Sequence, residues 1–268
     1  MVAPFFESEQ LGSQIRPSDT DVETGQPRMN APTRYKYLSS YVVVQTTTTV
    51  NQPDTGSSLP VCEAKEPMSD IHQATPAEIG QLAVTGWRAF HADPVMRWFF
   101  PDDDDYEANG QGVFRWVIGR GVALNSTWCT SDGVAFAKWT PPGRPEAEAE
   151  AEAEDDPRDD PAWRLSRFMA YGMFSEANTP AEPHWYLNML ATHPDWQRTG
   201  FGAALMGEVF AMADAEGLGC YLETETEENV AYYRRHGFEV RTEWDLMTDN
   251  ENDRSQGPHQ WGMWRQPR

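Results

Sequence analysis

Gln197, Gly200 and Gly202 give the spacing Gln-x-x-Gly-x-Gly between a stretch that reads as a strand (185–192) and one that reads as a helix (200–216). Glycines at such a turn let a ligand approach the backbone, and the free N–H groups and positive dipole end of the helix favour an anion. Arg198 adds a positive charge to the turn. Three phosphate-binding patterns compete for these residues. A P-loop needs Gly-Lys-Ser/Thr, and this run has no lysine. A dinucleotide fold needs GxGxxG, and only GxG occurs here. Gln-x-x-Gly-x-Gly after a strand suits a third kind of phosphate site. Without a ligand, the same glycines would merely ease the start of a helix.

Elements on both sides must hold that turn in place. Residues 71–74 read as a short strand, and Thr75-Pro76 as the N-cap and first residue of a helix. Ile79, Leu82, Ala83, Gly86 and Phe90 give that helix its 3–4 spacing. A second helix covers about 106–124. Strands at 126–130 and 134–139 flank Ser131-Asp132-Gly133, whose Asp-Gly is a strong hairpin signal. Then follow a helix near 165–174, the strand and helix around the glycine turn, a strand at 220–224 and a helix at about 229–236. Strands at 238–246 and 260–265 close the chain. The order gives an α/β (α+β) chain with an antiparallel start and one β-α-β unit near its end.

The blocks around the turn resemble the GNAT superfamily of N-acetyltransferases. Gln197-x-x-Gly200-x-Gly202 is similar to its acetyl-CoA signature. His184-Trp185-Tyr186-Leu187 looks like the opening of small-amine and antibiotic acetyltransferases of the puromycin acetyltransferase type. The run from Asn229 through Tyr232 and Tyr233 to Gly237-Phe238 resembles the closing block N-x-x-Y-Y-x-x-x-G-F. Ala74-Thr75-Pro76-Ala77, Asp93-Pro94-Val95-Met96 and the run from Ala137 to Pro142 match its first part, so the likeness covers about 70–265 in order. One position departs: many members carry Asn seven residues before the tyrosine, where this chain has Thr226, with Asn229 four before.

The resemblance implies a mixed, mostly antiparallel central sheet with splayed central strands, flanked by helices. It implies that the pantetheine arm of acetyl-CoA pairs like an extra strand with Leu190, Ala191 and Thr192. The pyrophosphate would then lie on the N–H groups of Arg198, Thr199, Gly200, Phe201, Gly202 and Ala203, beside Gln197, with Asn229 as a further cofactor contact. Tyr233 would be the acid that protonates the departing thiolate, a phenol with pKa near 10 suiting that task. A backbone N–H near Leu190 would serve the oxyanion. The base is open between two residues. Glu223 shares a strand face with Tyr221 and Glu225, although Glu225, Glu227 and Glu228 follow at once, as in a solvated acidic run. His184 shares a face with Tyr186 and Asn188, and imidazole titrates near neutrality. His193, Arg234, Arg235 and His236 read as structural.

Composition bounds the rest. The chain has 268 residues and a net charge of −21, which repels phosphate backbones and argues against nucleic acid as a partner. No apolar run reaches the roughly 18–20 residues of a membrane span. Cys62, Cys129 and Cys220 are odd in number and lack a CxxC pair, which fits neither a disulfide scaffold nor a zinc site and suggests a reducing compartment. No signal pattern opens the chain, so a cytoplasmic location is expected, with the nucleus as the alternative. Residues 1–68 are rich in Ser, Thr, Gln and Pro and read as a disordered tail. Within it, Tyr41 to Gln45 and the threonines that follow have strand propensity, which allows an added edge strand. Residues 146–160 carry nine acids and one arginine, and the segment 141–162 reads as an exposed acidic insertion in an acetyltransferase domain over 69–268. The expected activity is acetyl transfer from acetyl-CoA, as co-substrate and with no metal, to the primary amine of a small molecule, by a monomer or homodimer. Protein or peptide acetylation and a non-catalytic acyl-CoA-binding module are the alternatives. Asp102, Asp103, Asp104 and Asp105 would add an acidic surface attractive to cationic amines.

Overall fold

The structure, a computed structural model, describes residues 43–44, 70–143 and 160–268. Most of the expected tail and acidic insertion therefore lies outside the described residues. The described residues form eight strands: β1 (Val43–Val44), β2 (Ile71–Gln73), β3 (Thr127–Thr130), β4 (Ala135–Thr140), β5 (His184–Thr192), β6 (Gly219–Thr224), β7 (Phe238–Met247) and β8 (Gln256–Arg265). The helices are α1 (Ile79–Ala89), α2 (Pro94–Phe99), α3 (Gln111–Ala123), α4 (Ala162–Asn178), α5 (Phe201–Glu216) and α6 (Glu227–Arg235).

Local chemistry sets many of the boundaries. Thr75 donates from its N–H and its hydroxyl to Glu78, a capping box that starts the turn leading into α1. Helix α2 went unread in the sequence. Its cap is Asp93, which accepts from the Met96 N–H at 2.7 Å, with Pro94 as first helical residue. The helix expected at 106–124 begins instead with a π turn at Tyr106–Gly110. Gly133 closes the β3–β4 hairpin at φ +67°, a left-handed conformation that glycine adopts freely.

The sheet runs β2-β3-β4-β5-β6-β8-β7, with β1 against β5. Pairing is antiparallel except for β5 with β6 and β1 with β5. The β5-α5-β6 unit is the parallel crossover expected from the sequence. Helices α1 to α3, with Phe168 and Tyr171 of α4, bury one sheet face around Phe136, Met189 and Ala191. Helices α5 and α6 bury the other around Ala137, Leu187 and Leu190.

Leu187 and Leu190 are three apart yet share a cluster, which a strand of period two forbids unless its register slips. It does: Trp139 faces Leu187 and Lys138 faces Met189, so Asn188 is a bulge. Asn188 keeps the face of His184 and Tyr186, since Thr140 stands opposite Tyr186 and also reaches the Asn188 amide, and the alternation changes phase only after it. Its Oδ1 accepts from Lys138 Nζ at 2.9 Å and from Thr140 Oγ1 at 2.6 Å. The β5–β6 ladder ends at Leu187–Leu222, one residue before the bulge. Beyond it the two central strands part.

The acidic segment also needs one correction. Asp160, counted with the exposed insertion, is buried and accepts from Arg164 at 2.8 Å. Arg164 is itself buried, also holds Asp105, and lies 4.3 Å over the Phe100 ring. Deleting residues 146–159 should therefore leave the melting temperature nearly unchanged, since the lost side chains are acids, alanines, a proline and an arginine. Asp160→Ala should lower it by several degrees. Breaking a buried pair costs up to about 3–5 kcal/mol, and Arg164 keeps a second carboxylate that softens the loss. Equal melting curves for Asp160→Ala and wild type would show that the pair adds nothing.

Candidate functional site

The end of β5 and the start of α5 enclose a cleft of about 440 Å³. It is lined by Leu190, Thr192, Trp196, the turn from Gln197 to Ala203 except Thr199, and by Glu228, Ala231, Tyr232 and Arg235 of α6. Two left-handed residues shape the turn, Arg198 at φ +63° and Gly200 at φ +100°. The second favours glycine, while the first is uncommon for any residue with a Cβ. Gln197 braces the turn by donating its amide to the Thr192 carbonyl at 3.3 Å. The first N–H groups of α5 have no carbonyl one turn back to bond, so they are free for an anion. A Cβ on Gly202 would come within 2.8 Å of Tyr232 Oη and 3.4 Å of Leu190 Cδ2.

Of the residues expected at the cofactor, Leu190, Thr192, Gln197, Arg198, Gly200, Phe201, Gly202 and Ala203 line this cleft. Ala191 packs on the opposite sheet face. Thr199 donates its hydroxyl to the Trp196 carbonyl at 2.5 Å. Asn229 is buried inside the first turn of α6, where its N–H bonds Thr226 Oγ1 at 3.2 Å. Thr226 is thus a helix cap, and Asn229 does not line the cleft. Arg235, read as structural, lines the cleft, as does Ala231, to which no role was given; only the cleft wall formed by α6 brings them in.

The gap between β5 and β6 carries the titratable groups. Glu223 is fully buried. Its two oxygens accept from Ser175 Oγ of α4 at 2.6 Å and from Tyr221 Oη at 3.1 Å. Burial pushes the carboxyl up to about 7, although the hydroxyls of Ser175, Tyr221 and Tyr186 pull it down. A carboxyl so placed exchanges its proton near neutral pH. Ser175 was not anticipated, since nothing in the sequence links α4 to β6.

Tyr233 is also fully buried, and its hydroxyl has no hydrogen-bond partner among the described residues. Burial, with smaller contributions from Tyr232 and Glu225, raises the phenol well above its ordinary value, so it stays protonated throughout the neutral range. A value near 10, as free tyrosine would have, does not apply here. Glu225, read as part of a solvated acidic run, is buried too. Burial first, then the neighbouring Asp93 carboxyl, raise its pKa well above the usual carboxylate range. One of these two acids therefore keeps a proton that water would remove.

His184 stands at the far end of β5 from the gap, paired with Gly219. Its Nδ1 lies 2.6 Å from the Glu182 carbonyl, and its ring packs against Tyr221 and Trp264 at 5.6 Å each. Burial lowers its pKa, so it is neutral at pH 7. Glu223 directly follows the last β5–β6 pair, and Tyr233 is buried on α6 against Tyr232 and Phe238; neither lines the cleft. His184 lies about four residues, or roughly 13 Å, down the strand from Asn188. The acidic surface at 102–105 is partly neutralised, since Asp103 pairs with Arg97 at 2.7 Å, Asp105 with Arg164, and Asp102 caps a turn.

Among the described residues, one group has metal-ligand types close together: His72, Glu78 and Cys129. Glu78 already serves the Thr75 cap and accepts from His72 at 2.8 Å, and burial pushes the Cys129 thiol up to about 12. No helix among the described residues is long and apolar enough to cross a membrane.

An open, mostly antiparallel sheet that parts at one parallel pair beside a glycine turn is the GNAT architecture. Residues 128–238, from β3 to the first residue of β7, match the acetyltransferase (GNAT) family model. Over these residues the chain carries a GNAT-type acetyltransferase domain. Solved structures share its fold. A Corynebacterium glutamicum protein described as histone acetyltransferase HPA2 and related acetyltransferase is 22% identical, covers 75% of this chain and 98% of its own, and superposes with a TM-score of 0.50. A mosquito arylalkylamine N-acetyltransferase-like protein is 12% identical, with 74% and 99% covered and a TM-score of 0.51. An agmatine N-acetyltransferase variant is 14% identical, with 73% and 99% covered and a TM-score of 0.50.

Proposed function

We propose that the protein transfers the acetyl group of acetyl-CoA to the primary amine of a small molecule by direct attack. The observation that carries this reading is the Gln197–Ala203 turn lining a cleft at the end of β5, with buried Glu223 directly after the last β5–β6 pair and buried Tyr233 on α6 next to the cleft residue Tyr232. Neither Glu223 nor Tyr233 itself lines the cleft. The turn fits a pyrophosphate: it lines the cleft at the start of α5, where a Cβ on Gly202 would enter the space a ligand needs. When bound, acetyl-CoA supplies an activated thioester and a thiol leaving group. Glu223 takes a proton from the incoming ammonium, through water because its carboxyl is enclosed. The N–H near Leu190 polarises the thioester oxygen. Tyr233 Oη holds the proton that the sulfur needs. Enclosure of both groups by Ser175, Tyr221 and the aromatic side chains around them excludes bulk water and suits a compact acceptor better than a protein surface.

The test is a panel of amines and N-terminal peptides assayed for thiol release from acetyl-CoA. Small amines should give turnover at rates peptides do not match. With the best amine, kcat/KM should rise with pH through an apparent pKa near 7, and Glu223→Gln should remove that limb. The stability sign runs the opposite way. A carboxyl whose folded pKa lies above its unfolded value near 4.5 costs stability as pH climbs from there to about 7, so the Gln variant should gain on wild type over that window. Peptide turnover well above that of every amine would move the activity to the protein class. An unchanged pH profile in the Gln variant would take the base role from Glu223.

A further inference from the structure

The parting of β5 and β6 leaves backbone on the inner edge of β5 without its sheet neighbour, and the chain itself supplies one. Val43–Val44 runs parallel to β5, with Val43 opposite Met189 and Val44 opposite Leu190. The other edge of β5 is held by β4 from Tyr186 to Thr192. Strand β1 must therefore lie on the β6 side, and it does lie against β6. The β5–β6 ladder has ended two residues earlier, at Leu187. So β1 is no added edge strand; it enters the middle of the sheet, at the residues with which the pantetheine arm would pair.

We infer that Val43–Val44 is an internal competitor for the strand-shaped half of the acetyl-CoA site, so that the N-terminal segment sets the apparent affinity for the co-substrate. The inference rests on the reading of this gap as the pantetheine slot. Its physical basis is that a buried strand edge needs hydrogen-bond partners, and one set of β5 groups cannot serve two extended chains at once. A two-residue strand forms few ladder bonds, so it can be displaced and tunes binding without abolishing it. Val44 is joined to Asp70 through 25 residues of the same chain, so a displaced β1 remains covalently attached. The tether also keeps it at high effective concentration. With β1 in the gap, Glu223 and Tyr233 are fully buried. Departure of β1 would open the same gap to thioester and amine together.

The competition has a simple form: when the slot is open for a fraction f of the time, the apparent Kd is the intrinsic value divided by f. The test uses the full chain and its Val43→Pro/Val44→Pro variant, which keeps length and charge but removes both N–H groups a ladder needs. Hydrogen exchange is measured on the ligand-free proteins, and acetyl-CoA binding by calorimetry on both. The β6-facing amides among residues 188–191 should be protected in the wild type and exchange faster in the variant. The variant should bind acetyl-CoA about tenfold tighter, as expected if β1 holds the slot nine-tenths of the time, with kcat at saturation unchanged. Identical exchange in the two proteins would overturn the inference, as would faster exchange with equal acetyl-CoA affinity. The exchange arm needs no acetyl-CoA, so its failure is distinct from that of the acetyl-CoA reading: faster exchange in the variant with no acetyl-CoA binding by either protein counts against that reading alone.

Discussion

Tyr233→Phe should lower turnover by about 10²–10⁴-fold, the range for a positioned acid, while acetyl-CoA binding and the fold are kept. The structure sharpens both halves of this expectation. The hydroxyl is buried and has no hydrogen-bond partner among the described residues, so its removal deletes an unsatisfied polar group and should leave the melting temperature unchanged or slightly raised. The ring keeps its edge-on packing against Tyr232 at 5.1 Å and Phe238 at 5.6 Å, which a phenyl group preserves. An unsatisfied buried hydroxyl is costly to keep, and a donor role toward a ligand atom accounts for it better than packing does. The measurement is kcat under saturating amine and acetyl-CoA, so that binding changes do not intrude. Full turnover in the Phe variant would leave the phenol as packing and give the proton to water or another group.

Much of the site was legible because its signals are local. The glycine turn is fixed by residues within seven positions of one another, and its chemistry follows from backbone geometry that glycine alone makes cheap. The β-α-β unit, the hairpin at Asp132-Gly133 and the cap at Thr75-Pro76 are local in the same way. What the sequence hid depends on contacts between distant elements. Ser175 and Glu223 are 48 residues apart and meet because α4 crosses the sheet face that β6 presents. Glu225 looked solvated because acids surround it in sequence, yet it turns inward at the end of β6 to meet Asp93. The Asn188 bulge is invisible to a period-two reading, since it is a property of pairing with β4, where Lys138 and Thr140 reach its amide. Its consequence is large: the alternation of β5 changes phase at the place where β6 departs. The central position of β1 was equally hidden. Strand propensity marked the segment, but only the vacancy that the bulge and the parting create beside β5 says where such a strand can go.

Gly202→Glu should weaken acetyl-CoA binding by on the order of 100-fold or more, about 2.7 kcal/mol. Two effects act together. A Cβ at this position enters the cleft within 2.8 Å of Tyr232 Oη, and the carboxylate beyond it meets a pyrophosphate at the end of the helix where positive potential is otherwise concentrated. Gly207 provides the control on the same helix. A Cβ there has nothing within 4 Å, so Gly207→Glu adds the same charge and the same gain in helix propensity five residues away, outside the cleft. The folding cost of Gly202→Glu should be modest, because the close atom is the end of the Tyr232 side chain and can move aside. Calorimetry on the two variants therefore separates loss of the anion seat from a general effect of added negative charge on a chain that already carries −21. Raising the salt should recover part of the charge component in Gly202→Glu and none of the steric one. If both variants bound acetyl-CoA as the wild type does, the pyrophosphate would not lie on this turn, and the phosphate-binding role of Gln197 to Ala203 would fall with it.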